Sequence, residues 1–159
     1  MHSIWKEPER FERYFKNGWF VTGDIAVEDE EGYIYHQGRN DDLLKAGDEK
    51  VVGPFEIEQI LCMHPAVAES AVISKGREPG RGVSQLKAYV TLKKGYTPSN
   101  RLNYEIKAFL KGNFSPEMLI SELVFIDELP KTRSGKLLRR VLRAWELGLP
   151  GGDTSRMQD

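Results

Sequence analysis

The stretch of this 159-residue sequence best suited to chemistry is Pro130-Lys131-Thr132-Arg133-Ser134-Gly135-Lys136. It gathers three cations and two hydroxyls around one glycine. Backbone N–H groups at a helix start attract anions, and a lysine on a flexible stem adds a movable point charge. The ligand class that suits such a loop is a phosphate, a carboxylate or an acyl phosphate. For an arbitrary basic loop, a solvated turn is the commoner outcome. The Gly-x-x-x-x-Gly-Lys spacing of a P-loop is absent.

Two acidic groups are the next candidates. Thr22-Gly23-Asp24 offers a carboxylate able to accept hydrogen bonds from sugar hydroxyls, although such tripeptides are usually turns. Gly38-Arg39-Asn40-Asp41-Asp42 puts an arginine beside two carboxylates, read either as a hinge or as ordinary turn residues. His2, His36 and His64 lack metal-ligand spacing to one another or to Cys62, so no metal site is expected. Cys62, among apolar neighbours and without an adjacent base, reads as a buried structural thiol. Lys136, Arg139, Arg140 and Arg143 form a basic stripe whose simplest reading is a solvated helix face; without interleaved aromatics, nucleic acid is not an expected partner.

The elements that must carry these residues follow from periodicity. Pro8 to Lys16 reads as a helix with Phe11, Tyr14 and Phe15 on one face, stopped by Asn17-Gly18. Ile25–Val27 and Tyr33–Tyr35 read as a hairpin around an acidic turn, too small to stand without a packing partner. Pro54 opens a helix with Phe55, Ile57, Ile60 and Leu61 inward. Val67–Ser74, Gln85–Leu92 and Leu123–Ile126 read as strands, and Ser99 or Asn100 caps a helix carrying Leu102, Ile106, Phe109 and Leu110. Lys136–Leu147 reads as a last helix with Leu137, Leu138, Val141, Leu142 and Trp145 inward. The predicted class is α+β: a small three-stranded sheet flanked by helices, preceded by a β-hairpin appendage. The expected division is 1–40, 41–147 and a tail at 148–159.

Composition narrows the function classes. Hydrophobic residues make up 40% and charged residues 30%, with a net charge of −1, which excludes a disordered tail and any bulk polyanion binder. A single cysteine excludes an internal disulfide framework and fits a reducing compartment. No apolar run approaches the ~20 residues of a membrane span and no signal peptide is recognisable, so a cytoplasmic protein without a membrane partner is expected.

The motifs gain meaning from their order. Thr22-Gly23-Asp24, Gly38-Arg39-x-Asp41-Asp42, Gly53-Pro54-x-Glu56-x-Glu58 and Pro130-Lys131-Thr132-x-Ser134-Gly135-Lys136 together resemble the C-terminal part of adenylate-forming enzymes. That superfamily includes AMP-forming acyl-CoA synthetases, luciferases and nonribosomal-peptide adenylation domains. Val141 to Pro150 and the closing Gly152-Asp153-x-Ser155-x-Met157 are more specifically similar to the acetyl-CoA synthetase branch.

The resemblance implies a mobile C-terminal domain, with residues 1–40 as the last piece of a large N-terminal domain. It implies the reaction of carboxylate, ATP and CoA to acyl-CoA, AMP and pyrophosphate. ATP with Mg2+ and CoA would be substrates of the complete enzyme, none of them held by this segment alone. By the same resemblance Lys136 serves adenylation, Asp41 is the hinge, and Asp24, Arg39 and Lys50 bind ATP or adenylate. Gly47 and Arg81 line the CoA channel, and a lysine acetyltransferase and deacetylase act on Lys136. Lys50 departs from the family pattern, standing where an arginine is typical. The family's phosphate loop and acyl pocket have no counterpart here, so the large domain is the expected partner and the segment alone should be inactive. The alternative is a stand-alone, non-catalytic binding module of the same fold.

Overall fold

A computed structural model describes residues 5–6, 8–40, 43–46, 50–77, 84–114 and 120–149. The chain divides into two compact units, Met1–Asp41 and Asp42–Asp159.

In the first unit, helix α1 (Pro8–Arg13) is shorter than its periodicity predicts. Phe15–Lys16 (β1) instead pairs antiparallel with Trp19–Phe20 (β2). The cause is Asn17-Gly18, both at positive φ (53° and 82°), the two-residue turn whose twist suits a hairpin. The helix stop in the sequence is thus a hairpin turn. Phe11 still meets Phe15, and Tyr14 stacks near Phe20, so the aromatic cluster survives the change of element. The expected second hairpin is present as Asp24–Glu28 (β3) and Ile34–Arg39 (β4), antiparallel, with Asp24 opposite Arg39. Asp29 Oδ1 accepts from the N–H groups of Glu31 and Tyr33 and ties the acidic turn. Trp19 (80% exposed) and Ile34 (73% exposed) leave much apolar surface on this unit.

The second unit begins with a hairpin that periodicity does not show, Leu44–Ala46 (β5) against Lys50–Val52 (β6). Helix α2 (Pro54–Met63) follows, with Pro54 at its start as expected. Strands β7 (Val67–Arg77), β8 (Ser84–Leu92) and β9 (Ile120–Phe125) form the three-stranded sheet in that order. β7 and β8 are antiparallel; β8 and β9 are parallel, joined through helix α3 (Asn100–Asn113). Parallel neighbours need such a crossover. Ser99 is the cap of α3, its hydroxyl accepting from the Leu102 N–H at 3.1 Å.

Both faces of the sheet are covered, which is why its strands read as nearly continuous apolar runs. On one face Ile57 and Leu61 of α2 and Leu102, Ile106 and Leu110 of α3 pack on Val72, Ala88, Val90 and Leu123. On the other, Ala71, Ile73 and Tyr89 meet Leu129 and Leu142. Leu142 belongs to the last helix, α4 (Arg139–Glu146), which starts three positions later than its apolar pattern suggests. Residues 136–138 stay outside the helix because Lys131 and Leu137 bridge as antiparallel partners and hold Lys136 in a turn. Three further expectations fail. Phe55 is exposed, Trp145 is only half-covered where its ring edges onto Tyr89, and Cys62 is exposed, with Sγ 3.4 Å from Ser70 Oγ.

Candidate active-site elements

In the first unit, the β3–β4 pairing places Arg39 back over the turn at Gly23. Arg39 Nη1 donates to the Thr22 carbonyl at 2.7 Å and to Asp24 Oδ1 at 3.1 Å. The Asp24 N–H donates to Thr22 Oγ1 at 3.0 Å, and the Asn40 N–H to the Gly23 carbonyl at 2.9 Å. Gly23 lies at φ +77° with the guanidinium so close that a Cβ there would meet Nη2 at 2.7 Å. The Arg39 hydrogen bond holds the Asp24 carboxyl below its ordinary pKa. His36 Nε2 stands 3.7 Å from Asp24 Oδ1. The Asp24 side chain remains 40% exposed. The result is an ionised carboxylate, oriented from behind by a guanidinium and open to solvent, a geometry that accepts hydroxyl donors.

In the second unit, Lys136 occupies the exposed part of a turn fixed by its own hydrogen bonds. The Thr132 N–H donates to the Lys136 carbonyl at 2.8 Å, and the Lys136 N–H to Thr132 Oγ1 at 3.0 Å. The Gly135 N–H donates to the Thr132 carbonyl at 2.8 Å, and the Leu138 N–H to the Pro130 carbonyl at 2.8 Å. The Lys131 ammonium pairs with Glu69 on β7. Thr132 is therefore the internal brace of the loop, and Lys136 is a cation on a rigid mount. Such a mount suits delivery of positive charge to a phosphoryl or carboxyl oxygen.

Asp41, Gly47 and Arg81 lie outside the described residues, and of Lys50 only the backbone, in β6 opposite Ala46, is described. The expected basic stripe on α4 is not a uniform solvated face. Arg139 turns inward, its Nη2 donating to both carboxylate oxygens of Glu58 at 2.7 and 2.6 Å. Glu58 was visible in the sequence only as part of a motif. Its buried carboxylate also accepts from the Val72 N–H at 2.8 Å. At the other end of α4, Glu146 receives Lys87 at 2.6 Å and Lys75 at 3.0 Å, while Glu122 on β9 receives the same two lysines. Burial disfavours the Lys87 ammonium, but the hydrogen bonds to Glu146 and Glu122 outweigh it and raise its pKa.

The chain is 51% identical over its whole length to acetyl-coenzyme A synthetase of Bacillus subtilis (strain 168), covering 27% of that protein. It is 50% identical over 133 residues to 4-hydroxybutyrate–CoA ligase 1 of Metallosphaera sedula, covering 83% of the chain and 23% of the relative. Among solved structures, ATP-bound MatB from Rhodopseudomonas palustris superposes with a TM-score of 0.77 at 31% identity, over 91% of this chain and 28% of that one. The chain thus spans about a quarter of the length of these relatives and matches their C-terminal part. The profile of the AMP-binding enzyme C-terminal domain matches residues 56–136. That match takes in Glu58 and the three-stranded sheet and ends on Lys136, and it shows that the chain belongs to the AMP-binding enzyme C-terminal domain family.

Proposed function

We propose that this chain works as the C-terminal part of an AMP-forming acyl-CoA synthetase acting on acetate or another short-chain acid. A large adenylating domain supplies the phosphate loop and acyl pocket, and the apolar surface around Trp19 and Ile34 packs against it. The observation that carries this reading is Lys136, an exposed cation on an internally braced turn within a family-matched domain.

In the first half-reaction the carboxylate attacks the α-phosphate of ATP, taken as its Mg2+ complex, and pyrophosphate leaves. Negative charge grows on the phosphoryl oxygens, and the Lys136 ammonium stabilises it there more than in the ground state. Asp24 accepts the ribose hydroxyls, with Arg39 orienting it and reaching the nucleotide, and Lys50 adds a cation. The domain then turns at Asp41, where the two compact units divide. Lys136 withdraws, and the segments around Gly47 and Arg81 line the path of the CoA thiol. Acyl-AMP is attacked by that thiol and AMP leaves. The segment alone holds none of the substrates stably, and the complete enzyme is cytoplasmic. Acetylation of Lys136 by an acetyltransferase would remove the charge and a deacetylase would restore it.

The test is Lys136→Ala in the chain joined to its large domain. Acyl-AMP formation should fall by orders of magnitude, while thioester formation from preformed acyl-AMP stays within a few-fold. Equal losses in both half-reactions would refute the delivery role.

A further inference from the structure

We infer that Glu58 is a positioning residue for adenylation, holding the Lys136 turn in place through Arg139. The carboxylate joins three elements that are distant in sequence. It sits buried on α2, accepts the Val72 N–H on the outer edge of β7 at 2.8 Å, and receives Arg139 Nη2 at 2.7 and 2.6 Å. Among the described residues β7 is an edge strand, and this N–H has no neighbouring strand on that side. Glu58 takes that place and carries the contact around the sheet edge, from the layer of α2 to the layer of α4. The Ser70 hydroxyl, donating to the Glu58 carbonyl at 3.0 Å, fixes the same turn of α2 to β7.

The helix that Glu58 grips needs such an anchor. α4 begins with Arg139 and Arg140, has no acidic residue in its first turn, and takes no side-chain cap from Leu138. Two cations at the positive end of a helix are unfavourable by the helix dipole. The Glu58 carboxylate offsets the charge of Arg139 from outside the helix. Arg139 follows Lys136 by only two intervening residues, Leu137 and Leu138, and the Leu138 N–H already closes the base of the turn on the Pro130 carbonyl. One base of the turn is therefore tied to β7 by Lys131 and Glu69, and the other to α2 by Arg139 and Glu58. A displacement of about 1 Å in a positioned catalytic group lowers the rate by up to roughly 10²-fold, so loosening either tie should be felt at the Lys136 ammonium.

The inference rests on Lys136 acting in adenylation, and three variants in the chain joined to its large domain keep the two ideas apart. Glu58→Gln retains an acceptor for the Val72 N–H but removes the charge that holds Arg139. Arg139→Lys keeps the charge, shortens the reach, and leaves Glu58 paired with a cation. Glu146→Gln loosens the far end of α4, away from the turn. Lys136→Ala is measured beside them, with a thermal melt for each. Glu58→Gln and Arg139→Lys should lower the ratio of adenylation to thioester-forming rate by roughly 10- to 100-fold, on kcat rather than on KM for ATP. Glu146→Gln should lower the melting temperature and leave that ratio within about threefold of the parent. Folded Glu58→Gln or Arg139→Lys protein with an unchanged ratio overturns the positioning role, as does a ratio changed equally by Glu146→Gln. Should Glu58→Gln fail to fold, Arg139→Lys alone decides. A Lys136→Ala variant without a selective loss overturns both the proposed function and this inference.

Discussion

Replacing Gly23 by alanine separates Asp24 from Arg39 without altering either charge. The new methyl group would stand 2.7 Å from Arg39 Nη2, 3.1 Å from Cζ and 3.2 Å from Nη1. Ordinary van der Waals contact begins at 3.4 Å, so the guanidinium must retreat by roughly 0.7 Å. The end of an arginine side chain moves easily, so the steric part is small. A Cβ at φ +77° adds strain of about 1–2 kcal/mol. The functional consequence is larger than the strain. The Nη1–Oδ1 hydrogen bond, already 3.1 Å long, would stretch beyond the range in which it keeps its strength. Asp24 would then lose the main influence that holds its pKa low and titrate closer to its ordinary 3.8. NMR titration of the Asp24 side-chain carboxyl in the two chains measures this directly, with the variant expected to titrate at the higher pH. In the complete enzyme, KM for ATP should rise roughly tenfold, the size of one charge-assisted hydrogen bond. An unchanged Asp24 midpoint in folded variant protein refutes the close-approach argument. A shifted midpoint with unchanged KM refutes the role of the pair in holding nucleotide.

The four-residue cluster of Lys75, Lys87, Glu122 and Glu146 should give the second unit two pH shoulders. Hydrogen bonds from the lysines lower the pKa of both glutamates, so their stabilisation is present above 4.5 and is lost as pH falls below it. The lysines are raised, so their contribution is present below 10.5 and is lost as pH rises past it, and burial raises the pKa of Tyr89 on the same face as well. Urea midpoints measured across pH should show both shoulders, and Glu122→Gln with Glu146→Gln should flatten the acid one; an acid shoulder that persists in the double variant removes the cluster as its cause. Leu142→Ala, a truncation at a fully buried site of α4, should destabilise the unit by about 2–5 kcal/mol in urea unfolding. A change under 1 kcal/mol there would contradict the packing of α4 on the sheet.

Local order was legible in the sequence wherever a residue's role depends on its near neighbours. The apolar spacing of Ile57 and Leu61, of Leu102, Ile106 and Leu110, and the apolar Leu142 marked helix faces that do pack on the sheet. Ser99 was readable as a cap because a capping hydroxyl bonds three residues ahead. The order of the motifs along the chain likewise carries the family resemblance without any geometry. Asn17-Gly18 shows the limit of such signals, since positive φ at two residues serves a helix end or a hairpin turn equally, and only the pairing of Phe15 with Phe20 decides. The start of α4 shows another: the apolar pattern continues through Leu137 and Leu138, but the bridge from Lys131 to Leu137 draws the chain into a turn. What tertiary structure alone decided are the charged contacts. Glu58 and Arg139 are separated by 81 positions, and either would pass for a solvated helix residue. Arg39 reaches back 15 positions to Asp24 only because β3 and β4 pair in that register. Burial makes an unpaired charge expensive, so Glu58 must find its partner in space, and periodicity along the chain carries no record of which partner that is.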